Sequence, residues 1–266
     1  RDTVDARKTK EWFENLDKEL KEHVPDYLIV SHLEPDHSAN IQLFTEKYKF
    51  EKNIHIIPTG IEVERFFKEN IKEDDVSDLR KRLKLNKKDF IILFVGRLAE
   101  EKNVEFLIYA QQELVKKSKN IKLIIVGDGP DKEKYEKLSN KLGLSDNIIF
   151  TGKAAWDDMP YYYHISNVFA TASKTETQGL TIIEAMASNV VPICMKDEAF
   201  QSMVTEELNG LFFETKEEYE KQIIRLYENP KELQRFDKQA RIQAEHYSSK
   251  NYADRVLEVY NRAIKE

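Results

Sequence analysis

The sequence predicts an α/β fold: a doubly wound parallel sheet, with a short N-terminal α/β segment before it and C-terminal helices after it. Three observations lead there. Short β-rich apolar runs recur along the 266 residues. Stretches with apolar residues at helical spacing separate most of them. The runs are also near-continuous in Ile, Val and Leu rather than alternating, as strands covered on both faces are. In order they are Tyr27 to Ser31, Ile54 to Ile57, Phe90 to Val95, Ile121 to Val126, Asn147 to Phe150, Val168 to Ala172 and Val190 to Cys194. Between the third and fourth, Val104, Leu107, Ile108 and Leu114 share one helical face. From about 215 to 264 the pattern becomes helical throughout. There one face is strongly charged and the other carries Tyr252, Val256, Val259 and Ala263, which predicts helices packed against the sheet edge.

Composition excludes several kinds of function. Lys and Arg number 42 against 48 Asp and Glu, a net charge of -6, so the molecule lacks the field of a general nucleic-acid binder and no nucleic-acid partner is expected. A single cysteine, Cys194, makes no internal disulfide or multi-cysteine zinc site and fits a reducing, cytoplasmic setting. The longest apolar run, Phe90 to Val95, is far below the ~20 residues that span a bilayer. The first residues hold no apolar signal-peptide core. Because the chain opens on Arg1 and runs almost at once into helix-like sequence, it reads as a fragment. Eight glycines leave little room for long flexible linkers. The expected boundary lies near residue 50, at the polar stretch Lys47 to Asn53, giving domains 1–50 and 51–266.

In the first domain, the strand Tyr27 to Ser31 is followed by His32-Leu33-Glu34-Pro35-Asp36-His37. Two imidazoles and two carboxylates at a strand end form a mixed N/O set suited to iron, zinc or manganese. The competing reading is a solvated loop with Asp36 capping the helix that follows. The motif, together with Thr3 to Arg7, Pro25 to Tyr27 and Ser38 to Asn40, resembles the flavodiiron proteins, whose metallo-β-lactamase-like domain carries a motif of the form H-x-E-x-D-H. That resemblance implies His32, Glu34, Asp36 and His37 as metal ligands, with iron as a cofactor only if the fragment functions. The site would be incomplete, because the family's downstream ligands have no counterpart here and metal affinity depends on ligand number and an ordered surround.

In the second domain, Phe90 to Val95 runs into Gly96-Arg97-Leu98, with Lys102 soon after at a helix start. A glycine permitting close approach, two cations and exposed helix N–H groups suit a diphosphate. Arg97 and Lys102 taken alone would be surface charges, with Lys102 free to pair with Glu101 or Glu105. Gly127-Asp128-Gly129-Pro130 reads as a tight turn with Asp128 or Asp131 capping the next helix. Thr151-Gly152-Lys153 is a further backbone-exposing turn at the same edge. Asp74-Asp75 and Asp157-Asp158 read as helix starts. The most informative stretch is Glu176-Thr177-Gln178-Gly179-Leu180-Thr181-Ile182-Ile183-Glu184. It places Glu176 in a loop and Glu184 one to two turns inside a helix that starts near Gly179. Acceptor, exposed N–H groups and acceptor then stand in line for sugar hydroxyl, phosphate and ribose. A helix cap and a buried, hydrogen-bonded Glu is the alternative.

Taken in order, Pro58 to Ile61, Gly96 to Leu98 then Lys102, Gly127 to Pro130, Phe150 to Gly152, Glu176 to Ala187 and Asn209 to Phe213 resemble the donor-binding, C-terminal half of retaining glycosyltransferases of family 4, with the Rossmann-like GT-B fold. The resemblance spans about 54–266. It implies transfer of a sugar from a nucleotide-sugar donor with retention, and no metal cofactor for that step. Arg97 and Lys102 would neutralise the leaving diphosphate, Glu184 would bind ribose and Glu176 would hold the hexose. Gly96, Gly152, Lys153, Gln178, Gly179, Leu180 and Thr181 would complete the donor site. The sequence departs from the commoner family forms at Asn103 and Asn189, where glycine is frequent, and at Gln178, where an aromatic is frequent. The Glu-Thr-Gln-Gly-Leu wording resembles bacterial diacylglycerol glucosyltransferases, which implies UDP-glucose as donor and a membrane lipid or cell-envelope glycan as acceptor, with peripheral attachment at the inner membrane face. The half that would hold the acceptor is not in the resemblance, so the chain reads as chimeric. A catalytically silent sugar-nucleotide-binding domain and a flavodiiron-type oxygen or nitric oxide reductase fragment are the other functions that the sequence admits.

Overall fold

The computed structural model describes residues 6–21, 23–25, 28, 40–49, 55–173, 176 and 178–265. The chain divides into two compact units, 1–56 and 57–266. In the first, helices α1 (Thr9–Leu20) and α2 (Ile41–Lys47) meet through aromatic rings. Trp12 and Phe44 lie 5.9 Å apart, and Phe44 and Tyr48 lie 4.9 Å apart. Lys47 Nζ and the Tyr48 hydroxyl both donate to the Asp17 carboxylate, at 2.7 and 2.9 Å. The strand expected at Tyr27 to Ser31 and the metal-ligand set His32, Glu34, Asp36 and His37 lie outside the described residues, apart from Leu28, which is not in a strand.

The second unit contains a six-stranded sheet in the order β3-β2-β1-β4-β5-β6, every neighbouring pair parallel. Its strands are β1 (Phe90–Val95), β2 (Ile121–Val126), β3 (Ile148–Gly152), β4 (Val168–Thr171), β5 (Val191–Met195) and β6 (Leu211–Phe213). The helices, numbered on from the first unit, are α3 (Glu73–Arg82), α4 (Val104–Lys117), α5 (Lys132–Lys141), α6 (Met159–His164), α7 (Leu180–Ala187), α8 (Glu198–Gln201), α9 (Lys216–Glu228), α10 (Pro230–Glu245) and α11 (Ser249–Lys265). Burial on both faces explains the near-continuous apolar strands. Ile92 and Phe94 of β1 join Leu107, Ile108 and Leu114 of α4 in one core, while Ile91 and Leu93 join Ile182, Ile183 and Met186 of α7 in the other. Each alternate residue of β1 therefore faces a different layer.

Two expectations need correction. Residues 55–57 carry no strand, and Ile56 is 88% exposed. A short apolar run becomes a strand only where a neighbour accepts its backbone bonds, and the nearest ladder contact here is the isolated bridge between Ile61 and Ser248. The C-terminal helices also divide their roles. α9 packs on α4 and β6, α10 packs on α7 and β5, and α11 keeps Val256, Val259 and Ala263 half-buried. Asp74 and Asp75 do stand in the first turn of α3, where carboxylates favour the helix dipole.

Candidate functional site

The order of the strands reverses between β1 and β4, and in open α/β sheets ligands bind outside the carboxyl ends of the strands at that point. A cleft of about 240 Å³ opens there. The end of β1 supplies Phe94, Val95 and Gly96, and the end of β4 supplies Thr171. Lys102 enters from the 3-10 turn Glu100–Lys102, and the loop after β4 brings Glu176 and Gln178 beside Gly179, Leu180 and Thr181 at the start of α7. The expected juxtaposition of the Gly96 turn, Lys102 and the Glu176-to-Thr181 segment is thus the observed one.

Three loops at this edge hold one another through the backbone. Gly96 N–H donates to the Val126 carbonyl at 3.0 Å, Gly127 N–H to the Gly152 carbonyl at 2.9 Å, and Leu98 N–H to the Asp128 carbonyl at 2.9 Å. A Cβ at Gly127 would overlap the carbonyl oxygen of Gly96, so the glycine is required by close approach. Neither aspartate caps α5 as the sequence predicts. Asp131 makes no side-chain cap bond, and Asp128 accepts from the N–H of Gly129 at 2.9 Å. Backbone bonds to the Gly96-to-Leu98 loop already fix this turn, which leaves the carboxylates free of that duty.

Gly179 is the N-cap of α7 with φ of +57°, a conformation that L side chains adopt at a cost. A Cβ there would also press on the Met203 methyl group, 2.6 Å away. α7 begins at Leu180, so the N–H groups of Leu180 and Thr181 have no partner in their own helix and stand at the cleft wall. Asn103 and Asn189, the two departures at positions where glycine is frequent, sit at φ of +49° and +59°. Asparagine is the residue other than glycine that visits this region most readily, so both departures keep the backbone path.

Lys102 and Glu176 meet each other at 2.9 Å, each side chain about one-fifth exposed (22% and 21%). Lys102 does not pair with Glu101 or Glu105; Glu105 pairs instead with Lys134 at 2.7 Å. Arg97 is exposed beside the cleft and does not line it, and its guanidinium makes no hydrogen bond or ion pair with the described residues. Gly152 and Lys153 also lie off the cleft wall at the end of β3. A cation that the sequence reading passed over, Lys132, brings its ammonium beside Gly152, 3.7 Å from where a Cβ would stand.

Glu184 sits on a helix face otherwise made of Ile182, Ile183, Ala185, Met186 and Ala187, all buried. It is 6% exposed, and its Oε2 accepts a 2.6 Å hydrogen bond from the Tyr163 hydroxyl. Burial pushes its carboxyl up to about 7, a rise that the Tyr163 bond opposes. Tyr163 itself is wholly buried, and burial with the neighbouring Glu184 holds its phenol well above the ordinary value. Sequence reasoning missed Tyr163 because it is one of three consecutive tyrosines. Helical rotation sends each to a different partner: Tyr161 to Asp75, Tyr162 to Arg82 and Tyr163 to Glu184. Thr171, also missed, was legible as the last polar residue of the β4 run. Among the described residues, no group of three or more His, Cys, Asp or Glu is placed to hold a metal ion.

Comparison with known proteins places this geometry. The family model described as glycosyl transferases group 1 matches residues 75–243. An alpha-monoglucosyldiacylglycerol synthase of Acholeplasma laidlawii is 35% identical over 207 residues, 78% of this chain and 52% of that protein. A protein of the same name from Streptococcus pneumoniae is 30% identical over 62% of this chain and 38% of its own length. The chain therefore spans about half or less of these relatives. In structure, Anabaena Alr3699/HepE in complex with UDP and glucose superposes with a TM-score of 0.71 at 19% identity, over 83% of this chain and 60% of that one. The C-terminal domain of a group 1 glycosyl transferase from Francisella tularensis superposes with a TM-score of 0.62 at 22% identity, over 71% of this chain and the whole of that domain. The parallel sheet with its cleft at the β1/β4 reversal is thus the Rossmann-like half of a GT-B fold, and the chain belongs to the group 1 glycosyl transferases.

Proposed function

We propose that this chain is the donor-binding half of a retaining glycosyltransferase that takes UDP-glucose and delivers the sugar to a lipid acceptor. The observation that carries the proposal is the convergence at the β1/β4 reversal of Lys102, Glu176 and the first-turn N–H groups of Leu180 and Thr181 around one cleft. The 35% identity to a protein named as an alpha-monoglucosyldiacylglycerol synthase supports the choice of sugar and acceptor class.

In this reading the bond between the anomeric carbon and the diphosphate oxygen breaks, and negative charge grows on that oxygen. Lys102 and the α7 N–H groups stand where that charge develops and lower the barrier by stabilising it, and the exposed Arg97 beside the cleft adds positive potential. The arriving phosphate displaces Glu176 from Lys102, and the Glu176 carboxylate then accepts from hexose hydroxyls. Glu184 accepts from the ribose hydroxyls. The sugar is delivered on the face from which the leaving group departs. A cleft of about 240 Å³ is smaller than the ~300–1,000 Å³ of complete ligand pockets, as one wall of a two-walled site would be, and the acceptor is assigned to the other wall.

Calorimetry tests the reading directly. UDP and UDP-glucose should both give measurable heat with the isolated chain, weakly, since closure of two halves adds no contacts. Affinity should fall with added salt as the exposed Arg97 is screened. An absence of heat with every nucleoside diphosphate would refute the donor-site reading.

A further inference from the structure

We propose that Tyr163 is a positioning residue for nucleotide binding: its hydroxyl holds one oxygen of Glu184 so that the other is presented to the ribose of the donor. The inference rests on the ribose reading of Glu184 and adds a residue to it.

The geometry sets the two oxygens apart. Oε2 is occupied by Tyr163 at 2.6 Å, the one side-chain hydrogen bond that Glu184 makes with the described residues, and Oε1 takes no part in it. A carboxylate free to rotate on an apolar helix face would present either oxygen, or neither. A single short bond from a rigid donor removes that freedom. The donor is rigid because its ring is clamped: Phe66 meets it edge-on at 5.7 Å, Phe169 lies at 6.3 Å, and none of its surface is exposed. Phenylalanine would satisfy that aromatic packing, so the hydroxyl serves Glu184 alone.

The bond also acts on charge. Burial favours the protonated acid, and Tyr163 is the contact that favours the carboxylate. The elements packed on α7 bring other titratable groups: His164 from α6, Glu64 and Arg65 from the 3-10 turn Val63–Phe66, Cys194 from β5, and Asp237 and Arg241 from α10. His164 instead faces the Phe66 carbonyl at 2.9 Å, and Arg65 pairs with Asp157. Among the described residues, Tyr163 is the one that acts on Glu184.

The experiment measures UDP affinity by calorimetry from pH 5.5 to 8.5 for the wild-type chain, Tyr163→Phe and Glu184→Ala, with circular dichroism as the folding control. Wild-type affinity should fall as pH drops through about 7, where Glu184 takes up its proton. Tyr163→Phe should move that fall to higher pH, with affinity about five-fold lower at pH 7 for a midpoint raised by about one unit, and the gap should narrow by pH 8.5. UDP's own titration is common to all the proteins and cancels. Tyr163→Leu, a second donor-free variant, should shift the profile the same way should Tyr163→Phe fail to fold. If Glu184→Ala binds UDP like wild type, the ribose reading falls and takes the Tyr163 role with it. If Glu184→Ala is weak but the donor-free variant has a profile parallel to wild type, the ribose reading stands and the Tyr163 role is refuted.

Discussion

Glu184→Gln should make the protein more stable in alkaline solution while weakening its hold on nucleotide. Burial raises the Glu184 carboxyl from an ordinary 4.5 to about 7. The folded chain therefore holds this proton more tightly than the unfolded chain between those pH values. Where the folded state binds more protons, stability falls as pH rises. The contribution is intact below about pH 4.5, declines through the window and is lost above about 7. A shift of this size, at ~1.36 kcal/mol per unit, amounts to ~3 kcal/mol. Glu184 is 6% exposed, so solvent screening removes little of it.

Glutamine keeps the shape and the acceptor for the Tyr163 hydroxyl but does not ionise. Urea unfolding of both proteins at pH 5 and pH 8 isolates the effect. The free-energy difference, variant minus wild type, should increase by ~2.5 kcal/mol from the lower to the higher pH, since some of the effect is already lost by pH 5. Asp237, whose carboxyl burial raises to about 6, titrates in both proteins and drops out of the difference. Parallel pH dependences in the two proteins would show that burial does not raise the Glu184 carboxyl. The same variant should bind UDP more weakly, by ~1–1.5 kcal/mol, the difference between a hydrogen bond to a charged group and one to a neutral group.

Gly127→Ala should destabilise the chain by ~2–3 kcal/mol, read as a lower melting temperature, because the new Cβ meets the Gly96 carbonyl rather than a movable side chain. Asn103→Gly should be neutral or stabilising by ~0.5 kcal/mol and Asn103→Ala destabilising by ~1 kcal/mol, since φ there is +49°; equal effects from the two would remove the backbone explanation of this family departure. Glu176→Ala should bind plain UDP at least as tightly as wild type, because no ion pair with Lys102 has to be broken, yet bind UDP-glucose less tightly. Lys102→Ala should weaken both ligands, and calorimetry on the two variants separates the roles.

What the sequence made legible is what local chemistry determines. Five of the apolar runs became strands within a residue or two of their expected ends, because runs such as Phe90 to Val95 and Ile121 to Val126 are too apolar to lie anywhere but between two helical layers. Gly179 marked a helix start because its backbone conformation resists other residues. Ile54 to Ile57 has the same local character as those runs, yet residues 55–57 carry no strand. Pairing is a property of neighbours, which a run does not contain. β6 went unread for the converse reason: Leu211–Phe213 is three residues long and becomes a strand through its register with Ile193, Cys194 and Met195.

The same division runs through the site. Lys102 and Glu176 were each legible as charges at strand ends, but their 2.9 Å pairing links residues 74 apart in sequence. In the proposed reading, that pairing sets the state of the cleft before a ligand arrives: Lys102, assigned to phosphate, is already paired, and Glu176, assigned to sugar, is its partner. On that reading a diphosphate, carrying more charge than one carboxylate, should win the exchange at Lys102 and let Glu176 turn to the hexose. A neutral sugar alone offers Lys102 nothing in return and leaves the pair closed. The ordering of phosphate first and sugar second therefore follows from one ion pair, and glucose without nucleotide should show no binding to the isolated chain at concentrations where UDP-glucose saturates it.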